Sequence, residues 1–288
     1  MTHPLKKYRN RGDENRRLPS AYRPQLPRSV GSFAVIAIAT VGALFLALPL
    51  AALLLRAIEN NAWSLAPGSL IPGALYLSIV TTIMTSLVTI VFGTPLAWVL
   101  ARRQFPLKRW LNVLIELPIV LPPAVAGLAL LLTFGRRGLL GGTLEAAGIM
   151  LPFTTAAVIV AQVFVSAPFY VRAAQIGFRG VDRELEDAAR VDGANGSALF
   201  WYITLPLAAR ALAAGLVLSW ARALGEFGAT ILFAGSLQGR TQTMPLLIYN
   251  IIERDLDAAV WTGVILIALA VVALVLSQVL TQRVADGS

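Results

Sequence analysis

Arg222 and Glu226 stand four residues apart in a stretch, 207–234, built mostly of Leu, Val, Ala and Trp. Charges are rare in such surroundings, and where they occur they face a cavity or a partner. At 100° per residue, Gly215, Ser219, Arg222, Glu226 and Thr230 fall within a helical sector of roughly 80°. The spacing predicts one polar, small-residue stripe on an apolar rod, with Arg222 and Glu226 paired across a helical turn. Passage or gating of a polar solute is the chemistry such a stripe serves. A bare carboxylate would repel an anion, so pairing is the sensible form of that reading. The competing reading is a neutralised structural pair between packed helices.

Catalytic chemistry has little material here. The chain has no cysteine, which excludes disulfides, thiolate zinc sites, iron–sulfur clusters and cysteine nucleophiles. Its single histidine, His3, lies in a polar tail. No Gly-x-x-x-x-Gly-Lys-Ser/Thr stretch occurs, so the chain has no Walker-type ATP site of its own. The expectation is a non-enzyme that binds no cofactor or metal.

Two further polar stretches interrupt the apolar sequence. In 177–206, Asp182, Glu184, Glu186 and Asp187 cluster where a helix N-terminus welcomes negative charge. Ala188 and Ala189 continue that helix, and Gly193 with Asn195-Gly196 breaks it. Ser197 is placed to cap a second helix carrying Leu199-Phe200-Trp201-Tyr202-Ile203, and Pro206 to open the next membrane helix. Taken alone, this reads equally as an interfacial connector with an aromatic belt or as a docking surface. The second stretch, 235–257, is turn-rich at first and apolar again over Pro245–Ile252, as in a short re-entrant or interfacial helix.

The elements that must position these residues are membrane helices. Of the 288 residues, 57% are hydrophobic and 14% charged, against about 25% charged in soluble domains. Six apolar segments, at about 31–57, 74–100, 110–134, 154–176, 207–234 and 258–281, each approach the ~20 residues that cross a bilayer. Pro118, Pro122 and Pro123 must kink or interrupt the third. Ser78, Thr82, Thr85 and Thr89 give the second a hydroxyl face, and Gln162 and Ser166 pair on the fourth; both read chiefly as packing faces.

Positive charge then sets the orientation. With the N-terminus inside, the tail and inner loops carry sixteen Lys/Arg and the outer loops four. That bias places both termini and the 177–206 loop in the cytoplasm. The formal net charge of +9 is thereby explained by topology, without nucleic acid. Residues 1–29, basic and Pro-rich, are expected to be a disordered cytoplasmic tail, with contact to anionic lipid as an alternative role. Residues 30–288 form the transmembrane domain. No internal repeat supplies a second half, so a pathway at the midplane requires a second copy of the chain.

Asp187-Ala188-Ala189, Gly193 and Ile203-Thr204-Leu205-Pro206 resemble the EAA loop of ABC-importer permeases: Glu-Ala-Ala, three residues, Gly, nine residues, Ile-x-Leu-Pro. The departure is Asp187 in the Glu position, which keeps the charge and shortens the reach by one methylene. Further on, Gly225-Glu226-Phe227-Gly228-Ala229-Thr230, Ala234-Gly235 and Thr241-Gln242-Thr243-Met244-Pro245 are similar to the molybdate and tungstate permeases, a branch close to the sulfate permeases. Ser236 and Gln238 depart from that pattern, standing where Asn and Pro are usual. The resemblance covers most of 74–281.

The resemblance implies a type I ABC-importer permease of six transmembrane helices in the inner membrane of a prokaryote, working as a dimer. It implies two separate ATP-binding cassette subunits that use ATP-Mg and dock on Glu186, Asp187, Ala188, Ala189, Gly193, Ile203, Leu205 and Pro206. It also implies an extracytoplasmic oxyanion-binding protein meeting Gln238, Arg240, Thr241, Gln242 and Thr243. Ser219, Arg222, Glu226 and Thr230 would line or gate the pathway. The cargo would be molybdate or tungstate. A sulfate or thiosulfate permease is the alternative, and an ion-gradient-driven secondary transporter a more distant one.

Overall fold

Proline and glycine punctuate the apolar runs, and in the computed structural model they mark the ends of the helices Pro123–Phe134, Leu205–Leu224 and Gly228–Phe233, while Pro49, Pro95 and Pro168 are carried inside long helices. The structure describes residues 30–65 and 68–286, with side chains over 33–64 and 68–275. The 1–29 tail lies outside the described residues. The described residues divide into two units at Ala51–Ala52.

The described part of the first unit belongs to α1 (Val30–Glu59), on which Phe33, Ile36, Leu44, Phe45 and Leu48 are all open. The last turns of α1 belong to the second unit. There Ala57 is buried, and Arg56 and Asn60 both donate to Asp257 at 2.8 and 3.0 Å.

After a single 3-10 turn, Ala62–Leu65, the second unit continues with α2 (Ile71–Arg102), entered through Pro72, whose missing N–H costs nothing in a first helical turn. The third apolar segment is two helices, α3 (Lys108–Val120) and α4 (Pro123–Phe134), meeting at 118°. Pro122 takes an extended backbone (φ −54°, ψ 135°) and Pro123 opens α4, so the α3 ladder cannot continue through them. The expected interruption is therefore a sharp corner. A short α5 (Gly141–Ala146) leads to α6 (Thr155–Gly180), capped by Thr154, whose Oγ1 accepts from Ala157 N at 3.2 Å.

Next come α7 (Arg183–Val191), α8 (Gly196–Leu199), a π-helical stretch Phe200–Thr204, and α9 (Leu205–Leu224). The three last pieces run on as one span, Gly196–Leu224. The expected fresh start at Pro206 is absent. The π turn, in which Leu205 N donates to Phe200 O, shifts the hydrogen-bond register just before the proline that would otherwise interrupt it. Asn195, not Ser197, is the cap, its side-chain oxygen accepting from Ala198 N at 2.8 Å.

The fifth apolar segment also ends earlier than 234. It stops at Gly225, and a separate α10 (Gly228–Phe233) follows, then α11 (Met244–Ile252) and α12 (Leu256–Asp286). Among the described residues five helices are long and apolar enough to cross a membrane, and counting the bent α3–α4 pair as one span makes six.

Packing centres on α6, which lies between α2 and α9. Leu100, Tyr170, Phe178, Ala208 and Leu212 fill one cluster where the three meet. A second joins α4, α6 and α10 through Leu130, Val158 and Phe233. Small residues set the spacing. A Cβ added at Gly215 would stand 2.5 Å from Ala173 Cβ, and one at Gly177 would stand 2.6 Å from Ala211 Cβ. This reciprocal pair lets the α6 and α9 backbones approach as apolar helices in lipid do. The hydroxyl face of α2 serves the same purpose: Thr85 donates to Gln162 Oε1 at 2.9 Å, and Ser78 Oγ accepts from Met244 N at 2.8 Å, capping α11.

Candidate docking loop and polar pathway

Arg102, Arg103, Lys108, Arg179, Arg183 and Arg190 gather at one end of the second unit, where α2 and α6 end and α3 and α7 begin. At this basic end α7 starts on Asp182, whose carboxylate accepts from Glu184 N at 3.0 Å. It stops at Gly193, where φ is +90° and Ala194 N reaches back to Ala189 O at 2.9 Å. A side chain at 193 would be strained in that left-handed conformation, which explains the glycine.

The residues named for docking divide into an outer and an inner set. Asp187, paired with Arg190 one turn on, is exposed, as are Ala188 and Gly193. Ala189 is half-buried. Glu186 is only 6% exposed and points inward. Its Oε1 accepts from Arg102 Nη2 at 2.6 Å and from Thr204 Oγ1 at 2.8 Å. Arg102 also donates to Val181 O at 3.2 Å. One carboxylate thus ties α7 to the end of α2 and to the π stretch. Ile203, Leu205 and Pro206 lie on the span that continues into α9, with Leu205 packed against the main core cluster.

Sequence reasoning missed Leu185 and Val191, which stand 51% and 87% exposed on α7. With Ala188 they recur at three-residue spacing, an apolar ridge on a polar helix of the kind a groove accepts. The signal was present as apolar residues in an otherwise charged run. Behind α7 lies a cavity of about 500 Å³ lined by Arg102, Arg103, Arg183, Glu186 and Arg190 among others.

The predicted polar stripe is split: Gly215, Ser219 and Arg222 lie on α9, whereas Glu226 falls in the break after it and Thr230 on α10, and Ser219, Glu226 and Thr230 are buried. Ser219 donates to Ser166 O at 2.9 Å. The α9 part of the stripe lies against α6 of the same chain, the neighbour that Gly215 admits. Glu226 stands beyond the end of α9, 1% exposed. Its Oε2 pairs with Arg222 Nη1 at 2.7 Å and its Oε1 accepts from Ala229 N at 2.8 Å, so it joins α9 to α10 across the break. Of the four pathway residues only Arg222 retains substantial exposure.

The 235–243 turn divides similarly. Gln238 and Arg240 are exposed, whereas Thr241, Gln242 and Thr243 are buried. Thr241 Oγ1 accepts from Leu237 N at 2.9 Å, and Arg240 O accepts from Thr155 Oγ1 at 2.9 Å. These threonines and Gln242 build the turn, and Gln238 and Arg240 form its rim. The apolar run that follows is α11, packed against α2 and α12.

A second missed feature is an ion pair between Glu116 on α3 and Arg172 on α6, 2.8 Å apart. Both charges are visible in apolar runs of the sequence, but only the folded chain brings them together.

Five or six apolar helices of membrane-spanning length among the described residues, with a small helix between the fourth and fifth, define a polytopic membrane protein. The chain belongs to the family of binding-protein-dependent transport system inner membrane components, whose model matches residues 93–286. It is a multi-pass inner-membrane transport component. It is 44% identical over 232 residues to the molybdenum transport system permease protein ModB of Mycobacterium tuberculosis, covering 81% of this chain and 88% of that one. It is 40% identical over 208 residues to ModB of Escherichia coli K12, covering 71% and 91%. To the sulfate transport system permease protein CysW of Synechocystis it is 37% identical over 211 residues, covering 73% and 76%. Among solved structures, the bacterial alginate ABC transporter in complex with a pentasaccharide-bound periplasmic protein aligns with TM-score 0.72 at 15% identity, covering 88% of this chain and 95% of that one. The fold is that of type I ABC-importer permeases.

Proposed function

We propose that this chain is the membrane permease of an ATP-driven molybdate importer. Two copies form the pathway, two separate ATP-binding subunits dock at the basic end, and a binding protein delivers the oxyanion at the opposite end. The basic end is the cytoplasmic one, in keeping with the charge bias. The observation that carries the coupling half of this reading is α7: a short, glycine-terminated helix with an apolar outer ridge, pinned by Glu186 to the rod that becomes α9. Closing of the ATP-bound subunits would draw the two α7 helices together and shift the permease from inward-open to outward-open.

Asp187 and the Leu185–Ala188–Val191 ridge meet the ATP-binding subunit. Gln238 and Arg240 meet the binding protein, with Thr241, Gln242 and Thr243 shaping the turn behind them. The identity to ModB proteins, higher than to sulfate permeases, favours molybdate. The sulfate reading is retained because relatives at 37% identity carry that name. Reconstitution with the cognate ATP-binding subunits decides between them: molybdate-loaded binding protein stimulates hydrolysis and uptake, and stimulation by sulfate alone would reverse the choice. Uptake by the isolated chain driven by a proton gradient would overturn both.

A further inference from the structure

We propose that the Glu116–Arg172 pair is an anion-handling station on the basic half of the pathway. Arg172 is the group that touches the passing oxyanion, and Glu116 is the positioning residue that limits how tightly Arg172 holds it. The identity of the ion rests on the importer reading above; the contact of the pair with water does not.

The argument starts from exposure at depth. Arg172 lies eight residues before Gly180, the last residue of α6, and Glu116 eight residues after Lys108, the first of α3. At ~1.5 Å per residue both stand roughly 12 Å inside the basic ends of their helices. Yet the two side chains are 49% and 40% exposed, whereas those of the Arg102–Glu186 pair at the bundle's end are 11% and 8% exposed. Ionised groups inside membrane spans face a water-filled space or a protein partner, because exposure to hydrocarbon is costly. The flank of α6 that carries Arg172 is fixed by its neighbours: Tyr170, Val171 and Ala174 are buried in the main core cluster, leaving Arg172 and Ile176 on the open side. One turn further along, Gln175 Nε2 donates to Asn112 Oδ1 at 3.1 Å and holds α3 against α6. The pair is therefore aimed into open space at membrane depth by packing on both sides.

Its chemistry suits transit better than storage. A guanidinium offers paired N–H donors that match two oxygens of a tetrahedral oxyanion. Alone it would trap a divalent anion. With Glu116 2.8 Å away, the same donors have a carboxylate to return to once the ion moves on. Ser219 on α9 is turned inward, whereas the Glu116–Arg172 pair stays open at membrane depth, as Arg222 does in part.

The chain lacks cysteine, so an introduced thiol is the only one in the permease. The complex of permease, ATP-binding subunits and binding protein is reconstituted in liposomes, and Arg172→Cys is labelled with a membrane-impermeant anionic methanethiosulfonate. It reacts at least tenfold faster than Ala174→Cys, a buried control on the same helix, and molybdate slows the reaction severalfold. Labelling no faster than the control overturns the station. In uptake assays Arg172→Gln loses at least tenfold in molybdate transport while loaded binding protein still stimulates ATP hydrolysis, which also certifies folding. Glu116→Gln lowers turnover with an equal or lower apparent KM, and Glu116→Asp restores most of it. Wild-type turnover in both glutamine variants overturns the proposal. Failure of the wild-type complex to import either molybdate or sulfate overturns the choice of ion, and with it the proposed function, while the labelling still judges whether the pair meets water.

Discussion

Glu186→Ala isolates the attachment of α7. Its carboxylate takes hydrogen bonds of 2.6 Å from Arg102 and 2.8 Å from Thr204 and is almost fully enclosed. Removing one partner of a buried ion pair costs about 3–5 kcal/mol, because the other charge is left without its counterion. The lower figure applies here, since Arg102 also donates to Val181 O and borders a cavity that water can enter. A cost of about 3 kcal/mol is roughly a 150-fold change in an equilibrium. The expected result is local undocking of α7, because the rest of that helix offers few buried side chains. Hydrogen–deuterium exchange reads this directly. Amides of 186–192 should exchange on the order of 100-fold faster in Glu186→Ala, while peptides from α2, α6 and α9 keep their protection and ATP-driven uptake falls. Unchanged protection of 186–192 would show that the carboxylate does not hold α7, and the reasoning from burial would be refuted. Arg102→Ala with Glu186→Ala should cost less than the sum of the single changes, since the double variant leaves no orphan charge.

Packing, backbone and capping give three further expectations. Gly215→Val drives a branched side chain into Ala173 across the α6–α9 contact and should cost about 1–3 kcal/mol, read as a lower midpoint in a thermal size-exclusion assay; an unchanged midpoint would mean that the helices are not in close contact there. Gly193→Val, at φ +90°, should cost about 1–2 kcal/mol and reduce coupling of hydrolysis to uptake, with Gly193→Asn milder because asparagine tolerates that conformation. Ser78→Ala leaves Met244 N without its acceptor and should destabilise by about 1–3 kcal/mol, with faster exchange confined to the start of α11.

How far these features were legible before folding depended on whether they were local. Apolar length was the signal for the first, second, fourth and sixth segments, which overlap α1, α2, α6 and α12. The proline run at 118–123 announced an interruption, but not its angle, which depends on what α4 packs against. The break at Gly225–Phe227 went unread because its flanks are apolar and helical periodicity runs straight through it. Periodicity put Gly215 and Ser219 on one face of α9, but it carried that face on to Thr230, which belongs to α10 beyond the break, and a period carries no information on which neighbour a face meets. The inward turn of Glu186 was hidden for the same reason, since its acidic neighbours Glu184 and Asp187 share its composition but not its direction. Glu116 and Arg172, on separate helices, could be paired only by the fold.

The unbroken run from Gly196 to Leu224 has a mechanical consequence. Its 29 residues amount to a rod about 43 Å long. A tilt of roughly 10° about its midpoint would move each end by about 4 Å, and about one end it would move the other by about 7 Å. The second figure exceeds the thickness of a single helical turn. With the π turn keeping the rod continuous past Pro206, bending is left to the joints at its two ends, the Gly193–Asn195 turn and the Gly225–Phe227 gap bridged by Glu226. In the importer proposed above such a rod would act as a crank, and stiffening or loosening either joint should alter the stroke without altering the grip.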